Sequence, residues 1–356
     1  MTKILFAALS LTGGGAERVV SVLSSALAEK GYEVGVLLFQ TSKAEYALSD
    51  RVKRFQMDAE TYASKGKRLR FIRKVLKQTR PDYLIPFVFE PMLYCYIANL
   101  GLPTKYIATV RNYPKLYPSE PWRRAVAAWI STHCHKCMLQ TQEQAECFRW
   151  KSEDSWFVVP NPVDSRFPQA EYTCRETAKR LTAAGRLNEQ KDYPTMIAAF
   201  AMAADKFPEA VLDIYGAGEE RERLEQDIRD RHLENRVFLR GRTENVLEAL
   251  KQADGYILSS KYEGMPNSLM EAMAVGLPCV STVCPTGPRD LIEDGESGLL
   301  VPVGDAQGLA AAMERLLSDA DLRKRLGENA RKTIQERYTL DSVVAAFEEG
   351  LRLDEA

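Results

Sequence analysis

The chain has no run of 18 apolar residues, so no segment is expected to span a membrane. Its seven cysteines, at 95, 134, 137, 147, 174, 279 and 284, are odd in number and scattered, which argues against a disulfide framework. The C-x-x-C of Cys134 and Cys137 has no second pair at zinc-ribbon spacing and continues into Met138-Leu139. Buried, reduced thiols are expected there rather than a metal. Histidine is scarce, at 133, 135 and 232 only, and the single D-x-D, Asp319-Ala320-Asp321, falls in a C-terminal helical stretch. The first Gly-rich turn lacks the G-x-G-x-x-G spacing of dinucleotide folds, and no G-K-[ST] marks a Walker loop. Net charge is also lacking, at −1, but that value conceals a split. Residues 1–160 carry 23 Lys/Arg against 14 Asp/Glu, a net of +9, and the remainder carries 25 against 35, a net of −10.

What is present is an alternation of short apolar runs with amphipathic stretches. Ile4–Leu9, Val34–Phe39, Tyr83–Phe89, Tyr106–Val110, Lys136–Leu139 and Trp156–Val159 form one block. Arg180–Ala184, Ala210–Tyr215, Val237–Leu239, Gly255–Leu258 and Pro278–Ser281 form a second after the rigid Pro160-Asn161-Pro162-Val163-Asp164. Ile4–Leu9 leads at once into a Gly-rich turn and a helix, so it is expected to be a buried first strand of a cytoplasmic protein rather than a signal peptide. Repeated strand–helix alternation implies parallel sheets covered on both faces. The expected fold class is therefore α/β, with two doubly wound Rossmann-like domains facing across a cleft. The domains are placed at 1–162, joined by a C-terminal helix 338–356, and at 163–337.

The most informative segment is Glu263-Gly-Met-Pro-Asn-Ser-Leu-Met-Glu271, two carboxylates eight positions apart around a helix start. Free backbone N–H groups between the two carboxylates attract phosphate, and the flanking carboxylates suit hydroxyl groups on either side of it. A nucleotide-sugar has that layout. Ser268-x-x-Glu271 also fits a capping box, in which Glu271 serves its own helix end. Other motifs follow strands, where open sheets bind ligands: Gly13-Gly14-Gly15-Ala16-Glu17-Arg18, Gly185-Arg186 through Lys191, Tyr215-Gly216-Ala217-Gly218, and Gly241-Arg242. Lys65 to Arg80 forms an amphipathic helix with a cationic face, suited either to solvent or to anionic lipid head groups or a pyrophosphate acceptor.

Taken in order, these motifs resemble the retaining glycosyltransferases of family 4 with the GT-B fold, over nearly the whole chain. Asn161-Pro162-Val163-Asp164, Ser259-Ser260, Glu271 to Val280 and Gly295 to Val301 belong to the same pattern. The resemblance implies that Glu271 binds ribose hydroxyls, Arg186 and Lys191 neutralise the donor diphosphate, and Glu263 contacts the transferred sugar. Gly14, Gly15, Gly216, Arg242, Asn267, Ser268 and Leu269 complete the donor-binding set, and Glu17 and Arg111 face the acceptor. Many relatives carry a histidine where this chain has Thr109-Val110-Arg111-Asn112-Tyr113, so no histidine base is assigned. The leaving phosphate then accepts the acceptor proton, and no metal or cofactor is required.

The implied activity is transfer of a hexose or N-acetylhexosamine from a nucleotide-sugar, UDP-linked by preference, to a glycan or polyprenyl-lipid-linked acceptor. The expected setting is the cytoplasmic face of a membrane, reached through an anionic surface and the basic first domain, with no nucleic-acid partner. The alternatives are a nucleotide-sugar epimerase of GT-B shape and a non-catalytic sugar-nucleotide binding protein.

Overall fold

The computed structural model describes every residue except Gly13, 42–44, Glu171, Glu244 and 354–356. The chain divides into two compact units, Met1–Pro162 with Leu340–Ala356, and Val163–Thr339. Among the described residues the first unit has a sheet of seven parallel strands: β1 (Lys3–Ala8), β2 (Glu33–Leu38), β3 (Lys53–Gln56), β4 (Tyr83–Pro86), β5 (Lys105–Thr109), β6 (Lys136–Leu139) and β7 (Trp156–Val158). Their order is β3-β2-β1-β4-β5-β6-β7. The second unit has six: β8 (Arg180–Ala184), β9 (Val211–Tyr215), β10 (Val237–Gly241), β11 (Gly255–Leu258), β12 (Cys279–Thr282) and β13 (Leu299–Val301), ordered β10-β9-β8-β11-β12-β13. In each sheet the strand order reverses beside the first strand, the arrangement of doubly wound nucleotide-binding folds.

Period-2 alternation sorts the strand residues to the two faces. In the first unit Ile4, Phe6, Val34, Val36 and Ile85 share a core with helices Gly15–Glu29 and Leu340–Leu351. Leu5, Ala7, Leu37, Leu84 and Tyr106 share the other with helices Lys65–Thr79, Phe89–Asn99 and Pro121–His133. The returning helix is tied down by Glu348, buried, which accepts from Lys30 Nζ at 2.6 Å and Tyr32 Oη at 3.0 Å. Tyr338 stays with the second unit, where its hydroxyl donates to Asp290 O at 2.8 Å. The returning segment adds one arginine and five carboxylates, which lowers the +9 of the first 160 residues to +5.

Two edge strands escape sequence detection: β3 is Lys-Arg-Phe-Gln, half in solvent and without an apolar run, and β13 is apolar but only three residues long, Leu299-Leu300-Val301. The run Tyr83–Phe89 also stops early as a strand, at Pro86. Val88 has φ 62°, a value a β-branched residue rarely adopts, and it turns the chain into the helix that begins at Phe89.

Candidate active site

In the second unit the loops at the carboxyl ends of β8 and β9 pack backbone against backbone. Gly185 N–H donates to Tyr215 O at 2.9 Å, Leu187 N–H to Ala217 O at 3.0 Å, and Gly216 N–H to Gly241 O at 2.8 Å. A Cβ on Gly216 would overlap the Gly185 carbonyl oxygen, and one on Gly218 would overlap that of Leu187. The Gly-x-Gly after β9 is thus needed for close approach, which leaves a ledge free of side-chain bulk. Arg186 and Arg242 stand exposed at the ends of β8 and β10, and neither forms an ion pair among the described residues.

Beside this ledge the loop after β11 carries Glu263, only 6 % exposed. Its Oε1 lies 2.7 Å from Lys191 Nζ and accepts from Ser260 Oγ at 2.6 Å, while Oε2 accepts from Gln190 Nε2 at 3.3 Å. Thr286 Oγ1 donates to the Glu263 carbonyl, and Thr282 Oγ1 to Ser260 O at 2.6 Å. Thr286 (φ 62°) and Gly287 (φ 93°) both have left-handed backbone. A Cβ on Gly287 would lie 2.7 Å from Pro266 Cδ and 2.8 Å from Gly264 O. The turn is therefore pressed against the stretch that opens the next helix. Sequence inspection missed Gln190, Ser260, Thr282 and Thr286 as supports; Ser259-Ser260, quoted only as part of a pattern, was the available signal.

That helix, Asn267–Val275, begins at Pro266, which has no side-chain cap, and ends at Gly276 with φ 92°. Ser268 is its second residue, so it is not an N-cap. Glu271 is the fifth, past the first turn, which overturns the capping box as its explanation. Leu269 requires a correction too: its N–H donates to Pro266 O at 3.1 Å, so the outward-facing start of the helix is Asn267 and Ser268. Glu271 is nearly buried, within electrostatic reach of Arg166, whose pKa is raised chiefly by its hydrogen bonds to Asp164. Asp319, of the sole D-x-D, accepts from Leu322 N–H at 2.8 Å and caps the helix Ala320–Arg337.

The remaining candidates, Gly14 and Gly15 expected on the donor side and Glu17 and Arg111 on the acceptor side, lie in the first unit. Gly14 is the extended N-cap of Gly15–Glu29 and has no side-chain cap; Gly13 lies outside the described residues. A Cβ on Gly14 would overlap Glu17 Oε2, so the Glu17 carboxylate folds over its own helix start, where negative charge is favoured. Arg111 is not a surface arginine. Its Nη2 donates to Asn161 Oδ1 and its guanidinium lies 4.9 Å from the Phe87 ring centroid, while Nε and Nη1 are buried without hydrogen-bond partners among the described residues. Burial pushes its pKa down to about 9, so it remains a cation at neutral pH. His133 and His135 immediately precede β6, at the sheet edge opposite the strand carboxyl ends, and His232 follows the helix Arg221–Asp230.

The cationic helix Lys65–Thr79 is less available than its sequence implies. Arg68 is buried, paired with Glu90, and lies 4.4 Å from the ring centroids of both Tyr62 and Tyr94. Arg73 donates to Ala98 O and Leu100 O at 2.9 and 3.0 Å, and Lys67 pairs with Glu60. Among the described residues no helix is long and apolar enough to cross a membrane.

Comparison with known proteins agrees with this geometry. The profile of Glycosyltransferase Family 4 matches residues 13–167, and that of Glycosyl transferases group 1 matches 165–333. The chain is 34% identical over 346 residues to the lipopolysaccharide core biosynthesis glycosyltransferase LpsE of Rhizobium meliloti (strain 1021), covering 94% of each. It is 28% identical over 340 residues to an α-1,4-N-acetyl-D-galactosaminyltransferase of Campylobacter jejuni named for a polyprenyl-diphosphate-linked glycan, covering 93% of each. In fold it is similar to S. aureus TarM, with a TM-score of 0.84 at 15% identity over 98% of each chain. The Anabaena HepE structure in complex with UDP and glucose gives 0.83 at 20% identity, over 99% of this chain and all of that one.

Proposed function

The chain belongs to the family 4 glycosyltransferases of GT-B fold, and from that premise we propose that it moves a hexose or N-acetylhexosamine from a UDP-linked donor to a glycan or polyprenyl-lipid-linked acceptor, with retention, at the cytoplasmic face of a membrane. The observation that carries the proposal is the gathering of Lys191, Glu263 and the uncapped start of Asn267–Val275 around the carboxyl ends of β8 and β11. The Campylobacter relative's named substrate supports a lipid-linked acceptor, and the UDP in the HepE structure supports the donor class.

In this proposal the diphosphate lies over the glycine ledge and the helix start, neutralised by Arg186 and by Lys191. Lys191 exchanges Glu263 for phosphate, which turns Glu263 toward the hydroxyls of the sugar, and Glu271 takes the ribose. As the bond from the anomeric carbon to the phosphate oxygen breaks, the acceptor oxygen bonds to the same face of that carbon. The acceptor proton passes to the departing phosphate. Negative charge grows on the leaving nucleotide, so fixed cations and amides aimed at it supply the main stabilisation, and no metal or cofactor has a role.

The test is a thermal-shift screen of nucleotide-sugars followed by transfer assays with the ligands that raise the melting point. A UDP-sugar should stabilise the protein and be consumed only when an acceptor is added. Stabilisation without consumption under any acceptor would favour a binding protein, and conversion of the donor sugar without an acceptor would favour an epimerase.

A further inference from the structure

Of the ten large apolar side chains left exposed among the described residues, six belong to one stretch of the first unit: Ile97, Leu100, Leu116, Tyr117, Trp122 and Trp129. That clustering is not the scatter expected of an ordinary surface. Trp122 and Trp129 are 56 % and 51 % exposed, and with the exposed Ala125 they are spaced i, i+3, i+7 along one face of the helix Pro121–His133. They are held rather than loose. Trp122 meets the Phe89 ring edge-on at 5.8 Å, and Trp129 meets Tyr96 at 5.6 Å and stacks on His133 at 4.8 Å. Both rings are thus preorganised to point outward.

The neighbouring layer supplies the charge. Lys65–Thr79, Phe89–Asn99 and Pro121–His133 pack side by side over one face of the sheet. The first carries Lys65, Arg70, Lys74 and Lys77, which have no ion-pair partner among the described residues. Its Arg73 is anchored on the carbonyl of Leu100, itself 56 % exposed. Indole rings that are rigid and half-immersed, next to a cationic rim, match the boundary between acyl chains and anionic head groups.

We propose that this helix layer is the surface by which the protein docks on an anionic membrane, with Trp122 and Trp129 entering the interface and the cations of Lys65–Thr79 at its edge. It rests on the proposal of a lipid-linked acceptor, and it moves the principal contact from the cationic helix to the aromatic one. The indoles hold the protein by apolar burial, so a part of the attachment persists when salt screens the cations.

The test is co-sedimentation with phosphatidylglycerol and phosphatidylcholine vesicles at low and high salt, using wild type and Trp122→Ala/Trp129→Ala. Quenching of tryptophan fluorescence by brominated lipid and transfer to a short soluble acceptor are measured in parallel. Wild type should bind the anionic vesicles, retain measurable binding at high salt, and be quenched; the double variant should bind at least tenfold more weakly with unchanged melting point and soluble-acceptor turnover. Equal vesicle binding by the variant, or none by wild type, overturns the docking surface while leaving the transferase reading intact if soluble transfer persists. Indole fluorescence that responds to a soluble glycan and not to vesicles also overturns it, in favour of a glycan platform. Vesicle binding that depends on the indoles, in a protein that transfers no sugar, would sustain the surface and remove the transferase reading instead.

Discussion

Lys191 Nζ lies 2.7 Å from Glu263 Oε1, and both side chains are nearly closed off from solvent, although one comes from the turn after β8 and the other from the loop after β11. In the proposed function a donor phosphate takes Lys191 from a carboxylate already held by Ser260 and Gln190. Lys191→Ala strands a buried charge and should cost roughly 3–5 kcal/mol of stability. Lys191→Met/Glu263→Gln removes both charges and should regain most of it, as read by urea unfolding. Turnover should stay down by about 100- to 1000-fold in the double variant. A double variant that folds and transfers normally would remove the pair from the chemistry.

Glu271 separates ligand binding from helix capping. Because the helix starts at Pro266 and Glu271 is its fifth residue, Glu271→Gln should leave helix stability alone. Loss of a charge-assisted hydrogen bond to the ribose should weaken UDP binding by roughly 1–3 kcal/mol. Calorimetric titration with UDP checks this, and unchanged affinity would refute the ribose assignment.

Much of the architecture was legible because buried parallel strands must be apolar, as Ile4–Ala8 and Gly255–Leu258 are. β3 was not, because an edge strand half in solvent keeps Lys53 and Arg54. The loop chemistry divides likewise. The closely packed glycines 216 and 218 announce themselves, since only glycine permits that approach, but nothing local in sequence shows that Lys191 and Glu263 meet across 72 residues. Arg68 is the clearest case of a misleading pattern. In a helix of Lys and Arg it resembles its neighbours, yet it alone is buried, because Glu90, Tyr62 and Tyr94 converge on it from elsewhere in the chain.

That difference is measurable. Arg68→Gln removes a charged hydrogen bond to Glu90 and the donation to the Tyr62 carbonyl, and should cost roughly 1.5–3 kcal/mol. Lys74→Gln changes an exposed side chain and should stay within about 0.5 kcal/mol. Urea unfolding of the two variants should separate them clearly; equal stabilities would mean that Arg68 is as dispensable as its neighbours.

Arg111 carries a guanidinium whose one hydrogen bond among the described residues is to Asn161, with the Phe87 ring beside it and two buried nitrogens left without partners there. Such a group costs stability, and the proposed acceptor-binding role of Arg111 would account for that cost as a site kept ready for an anion. Arg111→Met should raise stability by about 1 kcal/mol at pH 7. The sign follows from burial, which lowers the folded-state pKa to about 9 while the unfolded chain keeps its proton to a much higher pH. The cost is thus fully present below pH 9 and is relieved above it, so the advantage of the methionine variant should shrink between pH 9 and 10.5 in urea unfolding. In transfer assays the same variant should raise KM for an acceptor bearing phosphate and leave that for a neutral glycan unchanged. A variant that is less stable at pH 7 and handicapped equally with both acceptors would reduce Arg111 to a tie between the β5 loop and Asn161.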